Sequence, residues 1–100
     1  MIYLRQTAVR DMAQGRRFYE VQRGEELGEY FSNSIFKDID SISETPGIHF
    51  QIEGYYRALS RKFPFAIYYK LEEQQIIVWR ILDCRQAPSK TADQLKPDHS

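Results

Sequence analysis

Leu27, Phe31, Ile35 and Ile39 recur at every fourth residue and Ile42 follows three later, which draws one apolar stripe along a helix. Glu29, Ser32, Lys37 and Asp40 fall largely off that stripe, so the helix has a wet face and a dry one. Pro46-Gly47 closes it, because proline cannot continue a helix and disfavours helical geometry in the residue before it. A looser helical pattern precedes it: Ala8, Met12 and Tyr19, supported by Val9, Ala13 and Phe18. Thr7 is the expected N-cap, its hydroxyl pairing with a free amide of the first turn, and Arg23-Gly24 the stop. Gly15 weakens that first helix by about 1 kcal/mol relative to alanine. The short glycine-containing joint predicts an antiparallel helical hairpin.

The pattern changes at residue 48. Residues 48–54 read as an irregular link within which a strand could begin. Tyr55–Ser60, Phe65–Leu71 and Gln75–Leu82 are aromatic and β-branched runs spaced for a meander, and Ile2-Tyr3-Leu4 is a short opening strand. Glu72-Glu73-Gln74 is the expected hairpin connection, although it lacks Asn-Gly. The predicted order is β-α-α-β-β-β, an α+β fold whose helical hairpin packs on one face of a small, mainly antiparallel sheet. Residues 1–87 form the single expected domain. Residues 88–100, polar and carrying Pro88 and Pro97, read as a flexible tail.

Strict alternation along the strands has a consequence. Phe65, Ile67, Tyr69 and Leu71 share one face, with Ala66, Tyr68 and Lys70 on the other. In the last strand Ile77, Trp79 and Ile81 oppose Ile76, Val78, Arg80 and Leu82, so both rows are mainly apolar. One helical hairpin covers one face only. The second row then needs a cover, either the tail folding back over Ile76 and Val78 or another chain. Trp79 reads as a core anchor.

Composition narrows the classes. The chain has 100 residues, 42 % hydrophobic and 28 % charged, which suits one globular domain and neither disorder nor two cores. Cys84 is alone, which excludes an intramolecular disulfide and a multi-cysteine zinc site. His49 and His99 leave little for a histidine-rich centre, so no metal and no cofactor are expected. No apolar run approaches the ~20 residues of a membrane span, and Met1–Arg5 is too short for a signal peptide, which points to the cytoplasm and away from membranes. Fourteen basic and fourteen acidic residues cancel, but 20–53 carries a net −6 and 54–71 a net +4. A neutral total argues against broad attachment to nucleic acid and leaves room for one focused anionic contact.

Phe63-Pro64-Phe65-Ala66-Ile67-Tyr68-Tyr69 resembles the central strand of the RelE/ParE superfamily of bacterial type II toxins, and is closest to ParE-like plasmid-stabilisation proteins. Phe18-Tyr19-Glu20 with Gly28 and Phe31 is similar to the family's helical-hairpin pattern, and Ile42 with Pro46 to its helix end. Gly54-Tyr55-Tyr56-Arg57-Ala58-Leu59 resembles the preceding basic strand, and Arg85-Gln86-Ala87-Pro88 the terminal motif. The resemblance spans roughly residues 1–88, in the family's order.

That resemblance implies a growth-inhibiting toxin neutralised by a cognate antitoxin, in a toxin–antitoxin hetero-oligomer. Tyr68, Ile76 and Val78 are the expected antitoxin contact, since they lie on the row judged uncovered. Two targets divide the family: DNA gyrase, inhibited by protein binding, and ribosome-bound mRNA, cut by RelE-like metal-independent endoribonucleases. Ala66 stands where RelE carries a functional arginine, so gyrase binding is favoured and mRNA cleavage is the alternative, with a degenerate, non-toxic partner-binding domain as a third reading. Arg57, Arg61, Arg80 and Arg85 are the candidate target-binding residues. Catalytic residues are not identified by spacing: Glu53, His49 or Asp83 could act as acid or base in RNA cleavage, which needs such groups beside fixed cations. His49 reads as a loop residue, Cys84 beside Arg85 as a weakly activated thiol. Tyr55 and Tyr56 could stack on a base, though sheet packing explains at least one.

Overall fold

Two 18-residue helices, α1 (Gln6–Arg23) and α2 (Glu25–Ile42), meet at Gly24, which is the end of one and the start of the other. Gly24 holds φ at +89°, a value that a side chain would resist and glycine adopts freely, and so turns the chain within one residue. The stripe read from sequence is the buried one: Phe31, Ile35, Ile39 and Ile42 are all at most 2 % exposed. Against it Ala8, Met12 and Tyr19 of α1 are buried too. The helices approach closely at Gly15, where an added Cβ would lie 2.5 Å from Phe31 Cζ. Helix α1 starts two residues earlier than expected. Arg5, not Thr7, is the N-cap, and the Thr7 hydroxyl donates instead to the Trp79 carbonyl at 2.9 Å, tying the helix to the sheet.

The computed structural model describes residues 1–96 and adds five strands: β1 (Ile2–Leu4), β2 (Phe50–Ile52), β3 (Tyr55–Leu59), β4 (Phe65–Glu72) and β5 (Gln75–Asp83). They form one sheet in the order β1-β5-β4-β3-β2, antiparallel except where β1 runs parallel to β5. The expected link 48–54 thus contains the edge strand β2. The β2–β3 and β4–β5 hairpins use two-residue turns with positive φ at each position, Glu53-Gly54 and Glu73-Gln74, the twist that right-handed strands demand, while residues 60–64 join β3 to β4. The helical hairpin covers one face, where Phe65, Ile67, Tyr69, Ile76, Val78 and Ile81 join the helix stripe in the main core.

The residues expected as a flexible tail depart most from the sequence reading. Pro88–Leu95 form a third helix, α3, with Pro88 at its first turn where the missing amide hydrogen costs nothing. Helix α3 lies on the second face of the sheet, and Leu95, 2 % exposed, packs with Tyr55, Ala66, Tyr68 and Leu82 in a smaller core of its own. The chain therefore seals part of that face itself. Pro97 and His99 lie outside the described residues.

Candidate binding face

The second face is ordered by the strand register, which sets Phe50, Arg57, Tyr68 and Arg80 in one cross-sheet row. Leu59, Ala66 and Leu82 form the row on one side of it, and Ile52, Tyr55, Lys70, Ile77 and Tyr3 lie on the other side. A bulge interrupts β5: Tyr68 faces Arg80 while Tyr69 faces Val78, so Trp79 has no opposite residue. The extra residue reverses the alternation midway along the strand. Ile76, Val78 and Ile81 consequently point to the helical hairpin, and Ile77, Trp79, Arg80 and Leu82 to the other face.

This corrects the expected antitoxin contact. Ile76 and Val78 are 5 % and 0 % exposed within the main core, and Tyr68 is 3 % exposed beneath α3. None of the three is accessible in the folded chain. Trp79 is likewise no anchor of the main core. Its ring lies on the second face, with the Arg5 guanidinium 3.8 Å from its centroid and Lys70 Nζ 4.9 Å away. Lys70 also stands 4.7 Å from the Tyr55 ring, and burial pushes the Tyr55 hydroxyl pKa up. Cations over aromatic faces attract the ring quadrupole while their heads stay wet.

The four candidate arginines have four different surroundings. Arg80 forks onto Asp11 of α1, with Nε 2.7 Å from Oδ2 and Nη2 2.9 Å from Oδ1, and its Nη1 donates to the Gln94 carbonyl of α3. Asp11 also accepts the Ile81 amide at 2.9 Å, an edge amide that β1 is too short to reach. Arg80 therefore joins both outer helices to the sheet. Arg85 doubles back onto Asp83, two residues away, at 3.0 and 2.7 Å. That pairing holds the Asp83 carboxyl below its ordinary range and raises the Arg85 pKa. Arg61 lies on the other side of the sheet, beside α2, where its backbone amide meets Asp38. Of the four, Arg57 stands on the second face with charge to offer a partner. It donates to the Tyr68 hydroxyl at 3.1 Å and reaches Cys84 Sγ at 3.5 Å, and the Tyr68 hydrogen bond raises its pKa.

Arg57, Tyr68, Cys84, Glu53 and the inner side of α3 border a cleft of about 460 Å³. Beyond it the face is apolar and open: Phe50 is 77 % exposed, Leu59 60 % and Ile52 40 %. Phe50 and Ile52 were not singled out in the sequence, because a strand of three residues carries too little alternation to show itself. The three acid–base candidates do not converge on one arginine: of them, Glu53 alone borders the Arg57 cleft. His49 Nδ1 hydrogen bonds the hydroxyl of Tyr69, on the helix side of the sheet, where Gly47 N–H also donates to that hydroxyl at 3.0 Å. Asp83 is occupied by Arg85, and Glu53 sits in a hairpin turn. Among the described residues no three His, Cys, Asp or Glu side chains are grouped to hold a metal, and no helix is long and apolar enough to cross a membrane.

Comparison with known proteins places this architecture. The chain is similar over 80 % of its length, and over 90 % of the other chain, to a solved structure of a chromosomal ParDE toxin–antitoxin system from P. aeruginosa, with 17 % identity and a TM-score of 0.73. At that identity the likeness concerns the fold. No curated protein matches. Residues 2–88 match the family model described as ParE toxin of type II toxin-antitoxin system, parDE. That match takes in the helical hairpin, all five strands and the strand motif at Phe63–Tyr69, and the chain belongs to the ParE toxin family.

Proposed function

We propose that the chain is the toxin of a type II pair, neutralised by a cognate antitoxin, and that it inhibits DNA gyrase by binding. The observation that carries binding over RNA cleavage is the separation of the chemical groups. Arg57 lies on the second face with Glu53 as the one acid–base candidate bordering its cleft, His49 lies behind the sheet against Tyr69, and Asp83 is forked by Arg85. Cleavage of a phosphodiester needs a base, an acid and a fixed cation within reach of one phosphate. Recognition of a protein needs an apolar patch with a charged rim, which Phe50, Ile52 and Leu59 beside Arg57 supply.

The antitoxin reading rests on the family and on the same open patch. An extended segment laid along the unpaired edge of β2 would gain main-chain hydrogen bonds and cover Phe50 and Ile52. It also accommodates the burial of Tyr68, Ile76 and Val78, since it needs none of them.

Induced expression tests the reading. Gyrase inhibition predicts filamentation with translation at first intact, and purified chain stabilising cleaved DNA on gyrase. Rapid translation arrest with new mRNA 5′ ends would establish the ribonuclease alternative instead. No growth effect from soluble protein would favour the degenerate reading. Arg57→Gln should weaken inhibition while the chain stays folded, and unchanged inhibition would remove Arg57 from the site.

A further inference from the structure

Behind the sheet, α2 and the connection from β3 to β4 enclose a cleft of about 540 Å³ that the reading above does not use. Lys37 of α2 and Arg61 and Lys62 of the connection line it. Among the described residues none of these three side chains is in an ion pair. Asp38, the one carboxylate in the lining, is already engaged. It is 6 % exposed, its Oδ2 accepts the Ser60 hydroxyl at 2.6 Å, and its Oδ1 accepts the Arg61 amide. Ser60 Oγ in turn accepts the amides of Lys62 and Phe63, so Asp38 serves to shape the connection that presents the cations. Three positive charges around a concavity, offset by one buried carboxylate, create a local field that favours a doubly charged anion.

The other wall is aromatic. Tyr30 is 48 % exposed, its ring packs on Phe63 with centroids 5.6 Å apart, and Lys62 Nζ lies 5.8 Å from its centroid. A ring braced by a neighbour and half exposed, with a movable lysine beside it, offers a stacking surface for a base. The cleft has the size of a small-molecule site rather than of a protein footprint.

We propose that this cleft binds a phosphorylated nucleotide, free or as one unit of a single strand, with its phosphate on Lys37, Arg61 and Lys62 and its base on Tyr30. The two sources share one chemistry and are told apart by the ligand added. Titration of the isotope-labelled full chain with AMP, with a short single-stranded oligonucleotide, with pyrophosphate and with adenosine reads the site by amide shifts in α2 and residues 60–63. AMP or the oligonucleotide should shift those amides, adenosine alone should bind about tenfold more weakly, and Arg61→Gln or Lys62→Gln should each cost about tenfold. Binding of AMP points to the free nucleotide as ligand, and binding of the oligonucleotide alone points to a strand. Tyr30→Leu should weaken AMP and spare pyrophosphate. All three side chains are exposed or half-exposed, so the folded spectrum is expected to persist in each variant. No shifts in the cleft with either nucleotide ligand, undiminished affinity in both cation variants, or equal competition by tetraglutamate would overturn the proposal.

Discussion

Asp11 and Arg80, 69 positions apart, meet through two parallel hydrogen bonds, and the same carboxylate closes the Ile81 amide. The pair sits where β1 has ended and α1 begins to cross the sheet, so it replaces the strand partner that β5 lacks there. Because Asp11 is 7 % exposed, loss of either side leaves a charge or an amide without its partner.

Asp11→Ala should therefore destabilise the chain by about 3 kcal/mol, the range for breaking one side of a buried pair. Urea denaturation measures it, and the midpoint of thermal unfolding should fall by more than about 10 °C. A loss within 0.5 kcal/mol would mean that water replaces the carboxylate without cost.

Gly15→Ala sets two effects against each other. Helix propensity gains about 1 kcal/mol, while the new Cβ meets Phe31 at 2.5 Å in a region where Phe31 is fully buried. Phe31 also packs edge-on against Phe63 and Phe65, so it has nowhere to retreat. Overpacking wins, and a net loss of about 1–3 kcal/mol is expected in chemical denaturation.

Leu95→Ala separates α3 from the rest. Leu95 is the one buried side chain of this eight-residue helix, which is too short to persist undocked. Hydrogen exchange should accelerate at residues 88–95 and in the amides over Tyr68 and Leu82, while the main core keeps its protection.

The Glu73-Gln74 turn holds both residues at positive φ, +50° and +67°. Asn and Gly adopt those angles at lower cost. The double substitution Glu73→Asn and Gln74→Gly should raise stability by about 1 kcal/mol, read as a higher urea midpoint with an unchanged slope.

Asp83 has its carboxyl pKa lowered, chiefly by the Arg85 hydrogen bonds. A depressed folded value means that the carboxylate stabilises the chain above its ordinary pKa, about 3.9, and that this contribution disappears as pH falls through the lower folded value. Both side chains are partly exposed, so solvent limits the gain to less than about 1 kcal/mol. Asp83→Asn should lower stability by that small amount at pH 7, and the difference should shrink as pH falls below about 3.9.

The sequence made the hairpin plain because Leu27, Phe31, Ile35, Ile39 and Ile42 keep one period over four turns. It misplaced Ile76, Val78 and Trp79 because alternation carries no mark of an inserted residue, and the bulge at Trp79 exchanges the faces on one side of it. The motif at Phe63–Tyr69 carried the family, yet it could not show that Tyr68 is roofed by α3. Helix α3 itself had a legible start in Pro88, but its single apolar anchor, Leu95, gives no periodicity to read. The scatter of Arg57, Arg61, Arg80 and Arg85 over separate surroundings was beyond sequence, since proximity along strands does not say which face or loop a long side chain serves.

Strand β1 pairs with β5 at Ile2–Ile76 through Leu4–Val78. During synthesis the first strand leaves the ribosome some seventy positions ahead of the only one beside which it is seated. Closing so large a loop is entropically slow, and until β5 is in place α1 lacks the strand it packs against. A nascent chain halted before β5 thus holds the helical hairpin and the β2-β3-β4 strands with an idle leader, and the finished shape arrives late in translation.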